Sequence, residues 1–282
     1  MDVINLSGRA AVVTGAGSGI GRATALALAG RGADLAICDV DESGLKETAD
    51  RISGLGRRVL ALKVDVADAA AMQEFAERTY AEFGRADVVV NNAGIGVGGN
   101  FVDVPIDEWN TILDINVKGV VHGCAAFIPR MIEAGRPGHV VNIASMAGYF
   151  AAPGMSAYSA TKFAVIGLSE SLAGELDEHG IGVSAICPGI INTPIVRSSR
   201  MYGEVGSEAM REQGARAFAR RNYTPERVAQ GILKAIQRNR VVAPVSPEAW
   251  AAYWLKRLFP GLMRVVMRWG MRRQAARNTQ AS

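Results

Sequence analysis

Ala10-Ala-Val-Val-Thr-Gly-Ala-Gly-Ser-Gly-Ile-Gly21 decides how this chain folds. A short β-favouring run enters a loop of alternating glycines, and an apolar-periodic stretch continues from Arg22 to Gly30. That order predicts strand, tight turn and helix. Glycines permit the turn and let backbone amides approach a pyrophosphate, whose charge a helix N-terminus favours. The spacing is not GxGxxG, and a purely structural turn can use such a run, so its meaning depends on the strands and helices downstream.

The same unit recurs outward from this stretch. Further strands are predicted at 34–38, 58–64, 87–91, 139–144, 182–187 and 240–244. Helices are predicted at 41–53, 68–83, 106–134, 157–179, 207–219 and 224–239, with Pro129 near the end of the long one. The strands are apolar nearly throughout rather than alternating, as a parallel sheet covered on both faces requires. This is an α/β pattern of the doubly wound Rossmann type, and ligands of such sheets bind beyond the C-terminal strand ends. One domain over 1–247 is expected, with a helical extension over 248–282.

Those strand ends carry candidate ligand contacts. Asp39 ends the second strand twenty residues after Gly19, where a carboxylate can accept ribose hydroxyls and repel a 2′-phosphate. This favours NAD over NADP, with Arg22 nearby as a weak counterweight; Asp39 starting a turn is the bland alternative. Asp65-Val66 closes the third strand and suits an adenine, polar atom to amino group and side chain to ring. Asn91-Asn-Ala-Gly94 closes the fourth, where small residues let a cofactor lie against backbone and an amide can tie strand ends together. Singly, either is an ordinary junction between sheet and loop.

Tyr158 and Lys162 stand four residues apart on a predicted helix and so share a face. A cation beside a phenol stabilises the phenolate and makes the hydroxyl a usable proton donor and acceptor. Bringing a tyrosine from its usual range to neutrality takes roughly 4 kcal/mol, which is much for one lysine, so further positive charge is expected nearby.

Composition bounds the alternatives. The 282 residues can bury a sizeable core, and 32 glycines with 49% hydrophobic content suit a compact protein rather than a disordered one. Cys38, Cys124 and Cys187 have neither metal spacing nor an even count, so buried reduced thiols and no metal are expected. The opening residues lack a basic, signal-like leader, and no run of 18 uncharged apolar residues occurs, which reads as cytoplasmic. The net charge of +4 is misleading, because residues 248–282 carry +6 and the remainder sums to −2. Without a recognisable binding module, the basicity does not indicate nucleic acid.

The glycine loop Thr14 to Gly21, Asn91-Asn-Ala-Gly94, Asn116, Ser145, Tyr158-Ser-Ala-Thr-Lys162 and Pro188-Gly-Ile-Ile-Asn-Thr193 together resemble the short-chain dehydrogenase/reductase family, in its order and spacing over about 6–245. The resemblance implies a single Rossmann-type domain with about seven parallel strands, dimers or tetramers, and hydride transfer between a nicotinamide cofactor and a carbonyl or alcohol. It implies Tyr158 as acid/base, Lys162 as ribose ligand and phenol activator, Ser145 holding the substrate oxygen, and Asn116 positioning a water in a proton relay. It places Thr14, Gly15, Ser18, Gly19 and Ile20 on the phosphates and Asp39 on the adenosine ribose. Asp65 and Val66 fall at the adenine, Asn92, Ala93 and Gly94 along the cofactor, and Pro188, Gly189, Ile191 and Thr193 around the carboxamide. A non-enzymatic NAD(H) sensor or scaffold is the alternative class.

On the substrate side, Met146, Tyr149, Phe150, Met155, Ile190, Ile195, Val196, Met201 and Tyr202 form a large, uncharged set. Such a lining suits a hydrophobic secondary alcohol or ketone: a steroid, terpenoid, long-chain or aromatic compound. The extension holds Trp250, Trp254 and Trp269, and sets Arg264, Arg268 and Arg272 in a stripe opposite Leu262, Val265, Val266 and Trp269. It reads either as a helix lying on an anionic membrane surface, making the protein peripheral there, or as one packed on protein. Pro260-Gly261 is expected to separate two helices.

Overall fold

A computed structural model describes residues 1–193 and 198–261. The predicted Ile195 and Val196 lining and the arginine stripe beyond Gly261 lie outside these residues.

Seven parallel strands form the sheet: β1 (Ala10–Thr14), β2 (Asp34–Asp39), β3 (Val59–Lys63), β4 (Val88–Asn91), β6 (Gly138–Ile143), β7 (Ile181–Cys187) and β9 (Val242–Pro244). Their order is β3-β2-β1-β4-β6-β7-β9, so the winding reverses between β1 and β4. At such a reversal the chain leaves adjacent strands in opposite directions and opens a crevice at their C-terminal ends. Every residue of β1, β4 and β6 is buried, as the unbroken apolar runs required. The two sides of the sheet carry separate apolar clusters, one around Leu28, Leu35, Ile37 and Ile232, the other around Met72, Phe75, Phe127 and Val183.

Helices α1 (Gly19–Ala29), α2 (Glu42–Gly54), α3 (Ala69–Phe83), α4 (Ile106–Leu113), α5 (Gly119–Glu133) and α6 (Ser156–Glu175) connect these strands. Beyond β7 come α7 (Glu208–Arg221), α8 (Pro225–Gln237) and α9 (Pro247–Leu258). The expected single helix over 106–134 is composite: a π turn, Asp114–Lys118, joins α4 to α5. Nothing in the sequence marks that turn. The stretch Ile106–Glu133 is long and apolar enough to cross a membrane by composition. Here its buried faces pack on α3 and α6, and it holds Asn116 inside the protein.

A two-stranded parallel ladder between β5 (Val97–Gly98) and β8 (Arg200–Met201) lies outside the main sheet. It ties the segment after β4 to the segment after β7 and forms a small roof. Met201 packs over Gly98, and a Cβ there would stand 2.5 Å from its Sδ. All three cysteines are buried and free.

Polar ties cross the core beneath the strand ends. Asn91 Nδ2 donates to Asn142 Oδ1 at 2.9 Å, and Asn142 Nδ2 donates to Ser169 Oγ at 3.0 Å, linking β4, β6 and α6. Replacing Asn142 by Ala strips an acceptor from a buried amide, at a cost of about 1–3 kcal/mol. The urea midpoint of Asn142→Ala should fall accordingly with its m-value kept. An unchanged midpoint would show that the chain of amides contributes nothing.

Candidate active site

The switch point between β1 and β4 is closed by side chains as well as by the ladder. Thr14 Oγ1 accepts the N–H groups of Asn92 at 3.0 Å and Ala93 at 3.1 Å. Asn92 Nδ2 returns to the carbonyls of Thr14 and Gly15, both at 2.9 Å. The two loops are therefore pressed together, and a Cβ on Gly15 would stand 2.7 Å from Ala93 Cα. Gly15 and Gly19 also have positive φ, +65° and +52°, which only glycine adopts without strain.

Ser18 precedes α1 in an extended conformation, is exposed, and makes no side-chain bond to the first turn. No acid lies in that turn, so the helix N-terminus presents amides and partial positive charge. Ile20 behind it packs on the core. Asp39 faces the glycine loop: Oδ2 accepts Gly17 N–H at 2.7 Å and Oδ1 accepts Asp41 N–H at 3.0 Å. It starts a turn and also sets a negative charge beside the loop.

Arg22 lies against the same loop, its guanidinium bonded to Gly17 O, the carbonyl of the residue whose N–H Asp39 accepts. The guanidinium also pairs with Glu47 at 2.7 Å and donates to Thr48 Oγ1 at 3.0 Å and to Gly44 O at 3.2 Å. Sequence spacing alone makes it a counterweight to Asp39; four of its five N–H groups go to protein acceptors.

Along the other strand ends, Asp65 is exposed and caps a turn through Ala67 N–H at 2.9 Å. Val66 is buried against Gly119, where a Cβ would stand 2.7 Å from its Cγ2. Pro188 comes directly after β7, and its carbonyl accepts Met146 N–H at 2.8 Å. Ile191 is buried, while Thr193 is half-buried at the edge of the described loop.

The four residues expected to do chemistry come from three parts of the chain, the π turn, the turn after β6 and α6, and meet beyond β4, β6 and β7. Ser145 lies just past β6, and its Oγ accepts Ala147 N–H at 3.1 Å in a short 3₁₀ turn. Tyr158 and Lys162 lie one turn apart on α6, with Nζ 5.6 Å from the centre of the phenol ring. Lys162 is 4% exposed and donates to Ile143 O at 2.9 Å. Asn116 is fully buried in the π turn, where its Oδ1 accepts Ile95 N–H at 2.8 Å and its Nδ2 donates to Ile95 O at 3.0 Å. Its Nδ2 also reaches Thr161 Oγ1 at 3.2 Å. With its amide committed to Ile95 and Thr161, Asn116 shapes the wall behind Gly94, where a Cβ would stand 3.1 Å from its Oδ1 and 3.7 Å from Lys162 Nζ.

Burial raises the Tyr158 phenol above its usual range, and a side-chain hydrogen bond with Ser145 only partly opposes this. Burial also lowers the Lys162 ammonium to about 8. The lysine therefore does not by itself bring the phenol down. The shortfall agrees with the arithmetic that one lysine is not enough.

Two features were hidden in the sequence. Thr161 lies between Tyr158 and Lys162, and it joins Asn116 to α6 by also donating to Tyr158 O at 2.8 Å. Only its position inside the Tyr–Lys interval hinted at it. Tyr149, expected to line the substrate cleft, is buried and donates its hydroxyl to Ala249 O at 2.8 Å. It anchors α9 instead, because a buried phenol takes the acceptor within reach. Met146 and Phe150 pack partly on the same core, whereas Met155 and Met201 stay partly open near the roof.

The family model for short chain dehydrogenases matches residues 9–202. Among curated relatives, "Probable oxidoreductase EphD" of Mycobacterium tuberculosis is 44% identical over 260 residues, covering 91% of this chain and 44% of that one. The chain thus spans less than half the length of that relative. A 1-deoxy-11-beta-hydroxypentalenate dehydrogenase of Streptomyces avermitilis is 39% identical over 196 residues, covering 69% of this chain and 73% of the relative. The crystal structure of a short chain dehydrogenase/reductase from Burkholderia phymatum in complex with NAD superposes with a TM-score of 0.83 at 33% identity, covering 91% of this chain and 95% of that one. Sequence, sheet order and the site at the strand ends agree, and this chain belongs to the short chain dehydrogenase family.

Proposed function

We propose that the protein is an NAD-dependent oxidoreductase that moves a hydride between the cofactor and a hydrophobic secondary alcohol or ketone, with Tyr158 as acid/base. One observation carries the reading. The Tyr158 ring packs on an apolar cluster of Val97, Val104, Ile112 and Ala157, while its own helix sets Lys162 beneath it and β6 brings Ser145 to its hydroxyl. A proton-transfer group at the border of an apolar wall suits an uncharged, apolar substrate. The hydroxyl-bearing substrate named for one relative and the NAD named for one structural neighbour support hydride transfer between an alcohol and NAD, although that relative's substrate also carries a carboxylate.

Bound NAD would supply the hydride chemistry and, when oxidised, a positive charge. The residues of this chain divide the remaining work. Tyr158 takes the hydroxyl proton in oxidation and returns it in reduction. Ser145 donates to the substrate oxygen, whose charge changes during the step. Lys162, held in place by Ile143 O, stabilises the phenolate and offers its remaining donors to the ribose. Thr14 to Ile20 receive the phosphates and Asp39 the ribose hydroxyls.

Tyr158→Phe keeps the ring and removes the proton-transfer oxygen. NADH binding, read by fluorescence, should persist while turnover falls by about 10²–10⁴-fold. Because burial holds the phenol high, alcohol oxidation by the unaltered enzyme should rise with pH as the base forms. Ketone reduction should decline at alkaline pH as the proton donor is lost. Near-normal turnover in Tyr158→Phe would remove the residue from its role. A screen with steroids, long-chain alcohols and small diols identifies the substrate class.

Cofactor choice rests on Asp39, with the four Arg22 hydrogen bonds all going to protein acceptors. kcat/KM should favour NAD(H) over NADP(H), and Asp39→Ala should shrink that preference. Equal or better activity of the unaltered enzyme with NADP(H) would refute the assignment.

We also infer a homo-oligomer, supported by Leu113, Val121 and Phe163, which leave α4, α5 and α6 with exposed apolar side chains. Membrane contact through the basic stretch within 248–282 is a second inference, supported by its charge alone. Sedimentation addresses both. The protein should run as a dimer or tetramer, and should co-pellet with anionic liposomes less as salt rises. A monomer would sink the first inference, and liposome binding that is absent or indifferent to salt the second.

A further inference from the structure

The first turn of α9 is bonded into the side of the molecule that faces the site. Glu248 Oε1 accepts Ile190 N–H at 3.0 Å, and Oε2 pairs with Arg221 Nη2 at 2.7 Å. Ile190 lies in the loop after β7, between Gly189 and Ile191. The fit is close, since a Cβ on Gly189 would stand 2.4 Å from Ser246 Oγ and 2.5 Å from Glu248 Oε1. Arg221 is the last residue of α7, which comes after the β8 strand of the roof. One carboxylate therefore joins the loop after β7, the end of α7 and the start of α9. Burial alone would raise this carboxyl, but bonds from Ser246, Arg221 and Ile190 outweigh it and hold the group below its usual range. It stays ionised near neutral pH.

The other end of the same loop is fastened separately, by Asn192 N–H on Tyr223 O at 3.1 Å. Tyr223 is itself held by its hydroxyl on Val245 O. The loop is thus suspended between two anchors, and both come from chain after α7. Further support for α9 comes from Tyr149 on Ala249 O and from the rings of Tyr149, Trp250, Tyr253 and Trp254 in mutual contact. The anchor thus stands on a cluster of four aromatic rings.

We propose that Glu248 is a positioning residue for the nicotinamide half of the cofactor: clamped by Arg221, it holds the backbone at Ile190 so that Ile191 and Thr193 stand at the crevice. The proposal rests on the NAD reading above. The adenosine half would lie at Asp39 and Asp65, on the far side of the switch point, and does not depend on this clamp.

Calorimetric titration of the full chain with NADH and with ADP-ribose, which lacks the nicotinamide, tests it. The unaltered protein should bind both; if it binds neither, the NAD reading itself fails. Glu248→Ala should weaken NADH by about tenfold, the loss expected of one charge-assisted hydrogen bond, and leave ADP-ribose unchanged. Glu248→Gln keeps an acceptor for Ile190 N–H and should recover most of the NADH affinity. Equal losses for the two ligands, or unaltered NADH binding in Glu248→Ala, would overturn the proposal. Should the alanine variant not fold, Arg221→Ala loosens the same carboxylate without removing it. A smaller loss confined to NADH is then expected, and equal losses again overturn it.

Discussion

Two loops leave the sheet in opposite directions beyond β1 and β4, and Thr14 and Asn92 bind them to each other. A threonine hydroxyl accepts two backbone N–H groups while an asparagine amide fills two backbone carbonyls, so four polar main-chain groups at the crevice are satisfied without water. The consequence is a backbone approach so close that the glycines become obligatory. A Cβ on Gly21 would lie 2.0 Å from Gly15 O, and one on Gly15 would strike Ala93. The glycine loop, the free N-terminus of α1 and the wall at Ala93 and Gly94 all take their positions from this tie.

The polar groups deeper in the site are arranged by the same economy. Lys162 is nearly fully buried, and its amine donates to Ile143 O. The π turn gives Asn116 its inward position by inserting an extra residue into an otherwise continuous helix. Burial then has opposite effects on the two titrating groups, raising the phenol and lowering the ammonium. Both shifts favour the neutral forms. The protein alone holds Tyr158 and Lys162 closer to uncharged than their positions on one helix face suggested.

The segments after β7 add a second layer. The roof strand β8 pairs with β5, Arg200 reaches Glu108 at 2.9 Å, and Glu248 joins α7 to the loop beneath. Residues far apart in sequence thus close one side of the crevice, and α9 is part of that closure through its first turn. The exposed end of the helix, at Trp254 and Leu258, is left outside it.

The sequence by itself determined the strands, most helices, the glycine turn, the place of Asp39 and the Tyr158–Lys162 face. Each depends on local periodicity or on backbone freedom, which neighbouring residues encode directly. It also ordered Asn91 to Gly94, Ser145 and Pro188 to Thr193 at strand ends, although their joint meaning came from a family resemblance. Only the tertiary structure decided that Arg22 turns to Glu47, that Tyr149 anchors α9 instead of lining a cleft, and that Asn116 sits in a π turn bonded to Ile95. These outcomes depend on which acceptor lies within about 3 Å once distant segments have packed, and neither spacing nor propensity specifies that. The pKa directions belong to the same class, because burial is a property of the folded surroundings rather than of the residue.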